Sequence, residues 1–413
     1  MLINRDKFDS FCLSCMLALS FFRSTSMWIG YPSAQHQLAQ ITYVPQKLMQ
    51  ILVMLLLMAY LVFSGYRLFL DIRLKKVEWL VIVSILFSVI LSDYKVLSMR
   101  YFVSFMVITL PPILYYHRYG PEALLVFITK IISLTVLANF AYVLVSPGYA
   151  IMSGVHEGAW RGMFVHKNVA GAYFALVGVI FISKWFYLEK LRTRYDLILF
   201  VLCCVMVFGS KSMTAILTFF IVHLSFWLSY LILKHSLVSQ RLFIVTTYFL
   251  VLVAGGFVVS TYFDELMTLL GRDPSLTGRT GLWEVLLPLV IEKPVFGYGI
   301  GVFSRPEIMY EYSLAFGWMA KSTHSSFLDI LLGVGFMGAT SVLAWLFYCL
   351  FSTLLKQVIT ARYAFQLSGA VSVIIGCLII ATSSSGVLIS ANIFWILIIC
   401  MVYFCYSQEV IEE

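Results

Sequence analysis

Residues 212–233 read SMTAILTFFIVHLSFWLSYLIL, a stretch without a single Asp, Glu, Lys or Arg. As a helix rising about 1.5 Å per residue it is long enough to cross a hydrocarbon core of about 30 Å. Apolar runs of the same kind recur near 8–22, 45–69, 78–92, 101–116, 121–146, 168–188, 196–210, 242–260, 325–352, 364–382 and 386–405. They are continuous instead of alternating, which excludes the dyad-patterned strands of an outer-membrane barrel. The chain therefore reads as an all-α, polytopic integral membrane protein with about 12 transmembrane helices. Dividing 364–405 at Ser383, Ser384, Ser385 and Gly386 gives twelve, and leaving it whole gives eleven.

Composition excludes a soluble globule. Of 413 residues, 61% are hydrophobic and 12% charged, where soluble domains carry about a quarter as charged side chains. The net charge of +8 has a topological meaning here and does not point to nucleic acid. Assigning alternate connections to the cytoplasm collects Arg5, Lys7, Arg67, Arg73, Lys75, Lys76, Arg118, Lys184, Lys190, Arg192, Arg194, Lys234, Arg241, Lys356 and Arg362 on one side. Both termini then face the cytoplasm. The first apolar run, with its charged start, also resembles an uncleaved signal anchor. The eight cysteines lie in or beside apolar runs and read as packing residues; Cys12 and Cys15 have redox-like spacing without the context for it.

Residues 261–324 break the apolar pattern. They form one long non-cytoplasmic loop with two expected helices, one over 280–291, lying on the membrane surface, and one from Ser304 to about residue 316, capped by Ser304 and Glu307 around Pro306. Such a loop is where a site would be built.

Basic residues on this face run against the positive-inside rule, so an anion is the natural counterpart. Arg279 starts the first loop helix, where its guanidinium and the free helix N–H groups can face one pyrophosphate; contact with lipid headgroups is the equal alternative. Lys211 occupies a tight polar break between two apolar helices, either as a phosphate ligand or snorkelling to headgroups. Arg272, beside Asp273, and Lys130, inside a span, read as structural. His324 precedes an apolar helix, whose N-terminus disfavours imidazolium and leaves the ring able to take a proton. Asp329 follows inside that helix as an orienting or capping group. A second polar cluster on the same face holds His156, Glu157, Trp160, Arg161, His166, Lys167 and Asn168. No metal-ligand spacing, nucleophile triad or nucleotide-binding glycine loop is present in the sequence, so neither metal nor cofactor is expected.

Three stretches carry a resemblance: RGMFVHKN at 161–168, GSKSMTA at 209–215 and GRDPSLTGRT at 271–280. With PVFGYGIGVF at 294–303 and HSSFLD at 324–329, followed by Gly333, Gly335 and Gly338, the chain resembles the O-antigen ligase and Wzy-type polysaccharide polymerase family, and looks most like its exopolysaccharide polymerase branch. The motifs run in order from about 160 to 340.

The resemblance implies a GT-C-like, metal-independent glycosyltransferase of the bacterial inner membrane. It would move a glycan from an undecaprenyl diphosphate donor to a sugar hydroxyl at the periplasmic face. It also implies phosphate-binding roles for Lys211 and Arg279 and acceptor activation by His324. The family often has Arg where Lys211 stands and Asn where Ser325 stands; lysine keeps the charge but not the bidentate fork.

The expected organisation is N-terminal helices over 1–160, a ligase- or polymerase-like core over 161–355 including the loop, and C-terminal helices over 356–413. The expected reaction is inverting polymerisation, with His324 as proton acceptor and Arg279 and Lys211, helped by Arg161, on the diphosphate. His166, Lys167, Asn168 and Asp329 are supporting residues. Membrane lipids and a chain-length regulator are the further partners. Two alternatives stand beside it: a ligase delivering finished polymer to a lipid A core, and a flippase for lipid-linked sugars.

Overall fold

The computed structural model describes residues 5–27, 43–71, 74–187, 194–234, 237, 239–247, 250, 279–313, 320, 322–355 and 361–406. Nearly every apolar run becomes a helix. They are α1 (Arg5–Thr25), α2 (Tyr43–Asp71), α3 (Lys76–Ile90), α4 (Lys95–Val145), α5 (Lys167–Tyr187), α6 (Arg194–Gly209), α7 (Met213–Lys234), α8 (Arg279–Glu292), α9 (Pro306–Ser313), α10 (Ser326–Leu354), α11 (Ala361–Ser383) and α12 (Ile393–Cys405). Residues 239–247 are helical as well. Among the described residues, six helices are long and apolar enough to cross a membrane: α2, α4, α5, α7, α10 and α11. The segment 251–278, with Arg272 and Asp273, lies outside the described residues.

Three of the expected boundaries change. The runs 101–116 and 121–146 are two limbs of α4, which breaks at Gly120 (φ 82°, ψ 176°) just before Pro121. Glycine tolerates that backbone and proline starts the next limb, so the chain kinks there without a loop. The second loop helix begins at Pro306, not Ser304, because proline is preorganised for the first helical position. Finally, the expected helix over 386–405 is helical only from Ile393. Residues 384–392 are non-helical, and Val387 to Ser390 are buried. Irregular backbone at such depth is tolerated where protein surrounds it. α12 fits that role, since every residue from Ile393 to Cys405 is buried. Its Trp395 donates from Nε1 to Thr109 Oγ1 of α4 at 3.0 Å.

The bundle has two ends of different chemistry. At one, Arg118 meets Asp6 at 2.8 Å, Lys184 meets Asp196 at 2.8 Å, and Lys75 sits 3.4 Å above the Tyr406 ring. At the other lie the loop before α5, the α6–α7 turn, the start of α8 and the turn between α11 and α12.

The loop helices are fixed to the bundle through a break in α10. Helix geometry fails at Gly335 (φ 65°, ψ −171°), which would orphan backbone groups on either side. The 294–299 strand of chain takes them up. Tyr298 N–H donates to Leu332 O at 2.7 Å and Gly299 N–H to Gly333 O at 2.9 Å, while Phe336 N–H donates to Pro294 O at 2.7 Å and Met337 N–H to Val295 O at 3.1 Å. A Cβ on Gly335 would lie 2.3 Å from Val295 O and 2.4 Å from its carbonyl carbon. Backbone cannot yield as a side chain would. Gly335→Ala is therefore expected to destabilise the protein by roughly 3 kcal/mol through strain alone, with the clash in addition. Thermal unfolding in detergent checks this; an unchanged transition would contradict it.

On the loop side, α8 buries Leu282, Leu286 and Val290 against Tyr298, Val302, Phe303, Met309, Leu328 and Leu332. The helix thus has a protein-facing side that holds Arg279 at a defined place.

Candidate active site

The first wall of the site is the loop ahead of α5. Arg161 N–H donates to Ala150 O at 2.9 Å, and its guanidinium donates from Nε and Nη2 to Tyr149 O at 2.9 and 2.7 Å. With 3% of its surface exposed, Arg161 braces the loop with its fork and offers the site its charge. Asn139 of α4 steadies the same loop by accepting Met163 N–H at 2.8 Å and donating to Thr135 O at 2.8 Å.

His166 caps α5. Its carbonyl accepts Ala170 N–H at 3.1 Å and its Nδ1 accepts Asn168 N–H at 3.2 Å. An Nδ1 that accepts carries no proton, so the neutral ring presents Nε2–H. Burial and the nearby His156, Lys167, Arg161 and His324 lower its pKa to about 4. The His156 ring stands edge-on at 5.2 Å, and burial with Lys167 lowers its pKa too.

The second wall is the turn between α6 and α7. Lys211 is exposed and left-handed (φ 49°), with Nζ 3.5 Å from Glu157 O. Lys167 Nζ donates to Lys211 O at 3.3 Å, and Trp160 N–H donates to Gly209 O at 2.8 Å. These contacts tie the turn to the first wall and present both ammonium groups on one face.

The third wall joins α8 to α10. Arg279 Nη1 donates to Ser383 O at 2.9 Å, and burial lowers the guanidinium pKa from its ordinary value. His324 is left-handed (φ 58°) and precedes Ser325, the N-cap of α10, whose side chain accepts Leu328 N–H at 3.4 Å. Burial first and Arg279 second lower the pKa of His324 to about 4. The imidazole is therefore neutral at any pH well above that.

Electrostatic neighbours link the walls. His324 acts on His166, Arg279 acts on His324, and Lys167 and Arg161 act on His166. Arg161, His166, Lys167, Asn168, Lys211, Arg279 and His324 thus share one end of the bundle, as cations set beside two neutral imidazoles. That combination suits a polyanionic leaving group next to a hydroxyl that must lose its proton. Asp329 stands apart: its carboxylate accepts Thr323 O–H at 2.6 Å and Gly386 N–H at 3.0 Å. Among the described residues, no cluster of His, Cys, Asp and Glu is placed to hold a metal ion.

Sequence reading missed Thr323 and the Ser383–Gly386 turn. The signal was a run of three serines and a glycine inside an apolar stretch, which served only to divide two helices.

Residues 197–343, which include Lys211, Arg279, His324 and Asp329, match the family model described as O-Antigen ligase. The chain is similar to that family over these 147 of its 413 residues. No curated protein matches the chain. Within the matched region lie the second and third walls up to Asp329; the Arg161–Asn168 wall and the serine turn flank it on either side. The match suggests ligase- or polymerase-type activity, and the six long apolar helices fit a multi-pass membrane protein.

Proposed function

We propose that the protein is a polysaccharide polymerase of the exopolysaccharide type. It would transfer glycan from an undecaprenyl-diphosphate-linked donor to a sugar hydroxyl of a lipid-linked acceptor. The observation that carries this reading is the convergence of Arg279, Lys211, Lys167 and a neutral His324 at one end of an apolar bundle. In the reaction the acceptor oxygen attacks the anomeric carbon from the side opposite the diphosphate. A carbon–oxygen bond forms to the acceptor, the bond to the diphosphate breaks, and configuration inverts. The acceptor proton passes to His324, and the departing charge falls between Arg279 and Lys211, with His166 Nε2–H as a neutral donor beside them. Arg161 contributes field from behind the loop it braces. The side chains supply acid–base and charge stabilisation without calling on a metal or nucleotide.

Orientation follows from charge. Lys75, Lys76, Arg118, Lys184, Arg194 and Lys234 mark the far end as cytoplasmic, which turns the site toward the periplasm of a bacterial inner membrane. Adding α1, α3, α6, α12 and the apolar 242–260 sequence run to the six long helices, with α4 counted as two limbs, gives twelve passes. Confinement of donor and acceptor to one leaflet supplies proximity, and a chain-length regulator is the partner such a polymerase would need.

Purified protein given a synthetic polyprenyl-diphosphate oligosaccharide is expected to yield a ladder of products without added metal or nucleotide. The family description favours a second reading, a ligase, which would give a single transfer to a lipid A core. Movement of the donor across a bilayer with no new glycosidic bond would reject both. Lys211→Ala should raise KM for the donor by about tenfold, the cost of one charge-assisted hydrogen bond, whereas Lys211→Arg should keep it near the parent value. Equal donor KM in Lys211→Ala would remove Lys211 from the site.

A further inference from the structure

The Ser383–Gly386 turn meets each segment that carries a functional group on the third wall. Arg279 Nη1 donates to Ser383 O at 2.9 Å. Ser326 Oγ donates to Ser384 O at 2.7 Å and accepts Val387 N–H at 2.8 Å. Ser385 Oγ lies 3.0 Å from Thr323 Oγ1, and Gly386 N–H donates to Asp329 Oδ2 at 3.0 Å. On the other side, Trp283 of α8 donates from Nε1 to Thr323 O at 2.8 Å. Four consecutive residues of one turn are thus engaged by α8, by the His324 segment and by the first turn of α10.

Thr323 is the junction of these contacts and is fully buried. A hydroxyl has one proton to give and two lone pairs to fill. The proton goes to the Asp329 carboxylate at 2.6 Å, the charged acceptor, in preference to the Ser325 carbonyl at 2.8 Å. One lone pair takes Ser325 N–H at 3.2 Å, and Ser385 Oγ, which also bonds Asp329, lies 3.0 Å away. The residues immediately before and after His324 are therefore held by one oxygen. The left-handed backbone of His324, costly for a residue with a side chain, persists because its neighbours are fixed in this way.

We propose that Asp329 and Thr323 are positioning residues. Asp329 binds Thr323 and Gly386 with its two oxygens and so locks His324 against the serine turn that also receives Arg279. The device sets the proton acceptor and the diphosphate ligand at one spacing. It rests on the roles given above to His324 and Arg279. Displacement of a reacting group by about 1 Å costs up to about a hundredfold in rate, so loosening this lock acts on turnover, not on donor capture.

The test uses the full-length protein and a polyprenyl-diphosphate oligosaccharide donor, with kcat and donor KM measured separately. Thr323→Val keeps the shape and removes the hydroxyl; Thr323→Ser restores it. Asp329→Asn turns an amide N–H toward one of the two donors. Thr323→Val and Asp329→Asn are expected to lower kcat about thirtyfold with donor KM within about twofold, and Thr323→Ser to recover most of the rate. Should Asp329→Asn fail to fold, the Thr323 pair decides alone. Parental kcat in Thr323→Val, or a rise in KM with kcat kept, overturns the proposal. Full activity in His324→Ala instead removes the reading on which it rests. An inactive His324→Ala beside a fully active Thr323→Val would sink the positioning role and leave that reading standing.

Discussion

His324→Ala is expected to lower glycan transfer by about 10²- to 10⁴-fold, the usual contribution of a positioned general base, with donor binding retained. The pH dependence tests the same residue more closely. In the unliganded protein, burial and Arg279 lower the His324 pKa to about 4. The active form is the neutral ring, so kcat/KM should be flat above about pH 5 and fall as pH drops through 4. When the donor is bound, its diphosphate offsets the charge of Arg279, the lesser of the two causes that oppose protonation, and the pKa rises. The acid limb of kcat should thus lie at higher pH than that of kcat/KM, since the first reports the complex and the second the free enzyme. Coincident limbs, or an alanine variant with the parental rate, would remove His324 from the chemistry.

Arg279→Ala is expected to cost about 10²- to 10³-fold in kcat/KM, the range for deleting one preorganised donor to a developing anion. Arg279→Lys should recover only part of it. The guanidinium holds Ser383 O with Nη1 while keeping other N–H groups for the ligand; an ammonium has no planar fork with which to meet both. Initial rates across a donor concentration series check this, and lysine performing as well as arginine would contradict the two-sided role.

Much of the architecture could be read from hydropathy, because uncharged runs such as 212–233 have few fates other than a buried or membrane-crossing helix. Arg279 at the first residue of α8 was legible from the loop's amphipathic pattern, and the expected helix over 280–291 became Arg279–Glu292. The place of His324 ahead of an apolar helix was legible too, with Ser325 as that helix's cap. What escaped was non-local. Nothing near Gly335 announces that peptide groups some forty residues earlier will fill the gap it opens. Hydropathy likewise treats 386–392 as spanning helix, because burial by protein and burial by lipid give the same composition. The bracing contacts of Arg161 escaped as well, since a carbonyl such as that of Tyr149 leaves no mark in sequence.

The seam at Gly335 is sewn by main-chain atoms alone: four N–H to carbonyl links between 294–299 and 332–337. Such stitching is indifferent to which side chains its residues bear, provided the glycines stay. The neighbouring cleft is lined by Tyr101, Ile300, Phe303 and Ser304 and also by Asp329 and Gly386, so its wall can change by mutation only where the Asp329–Gly386 contact is left in place.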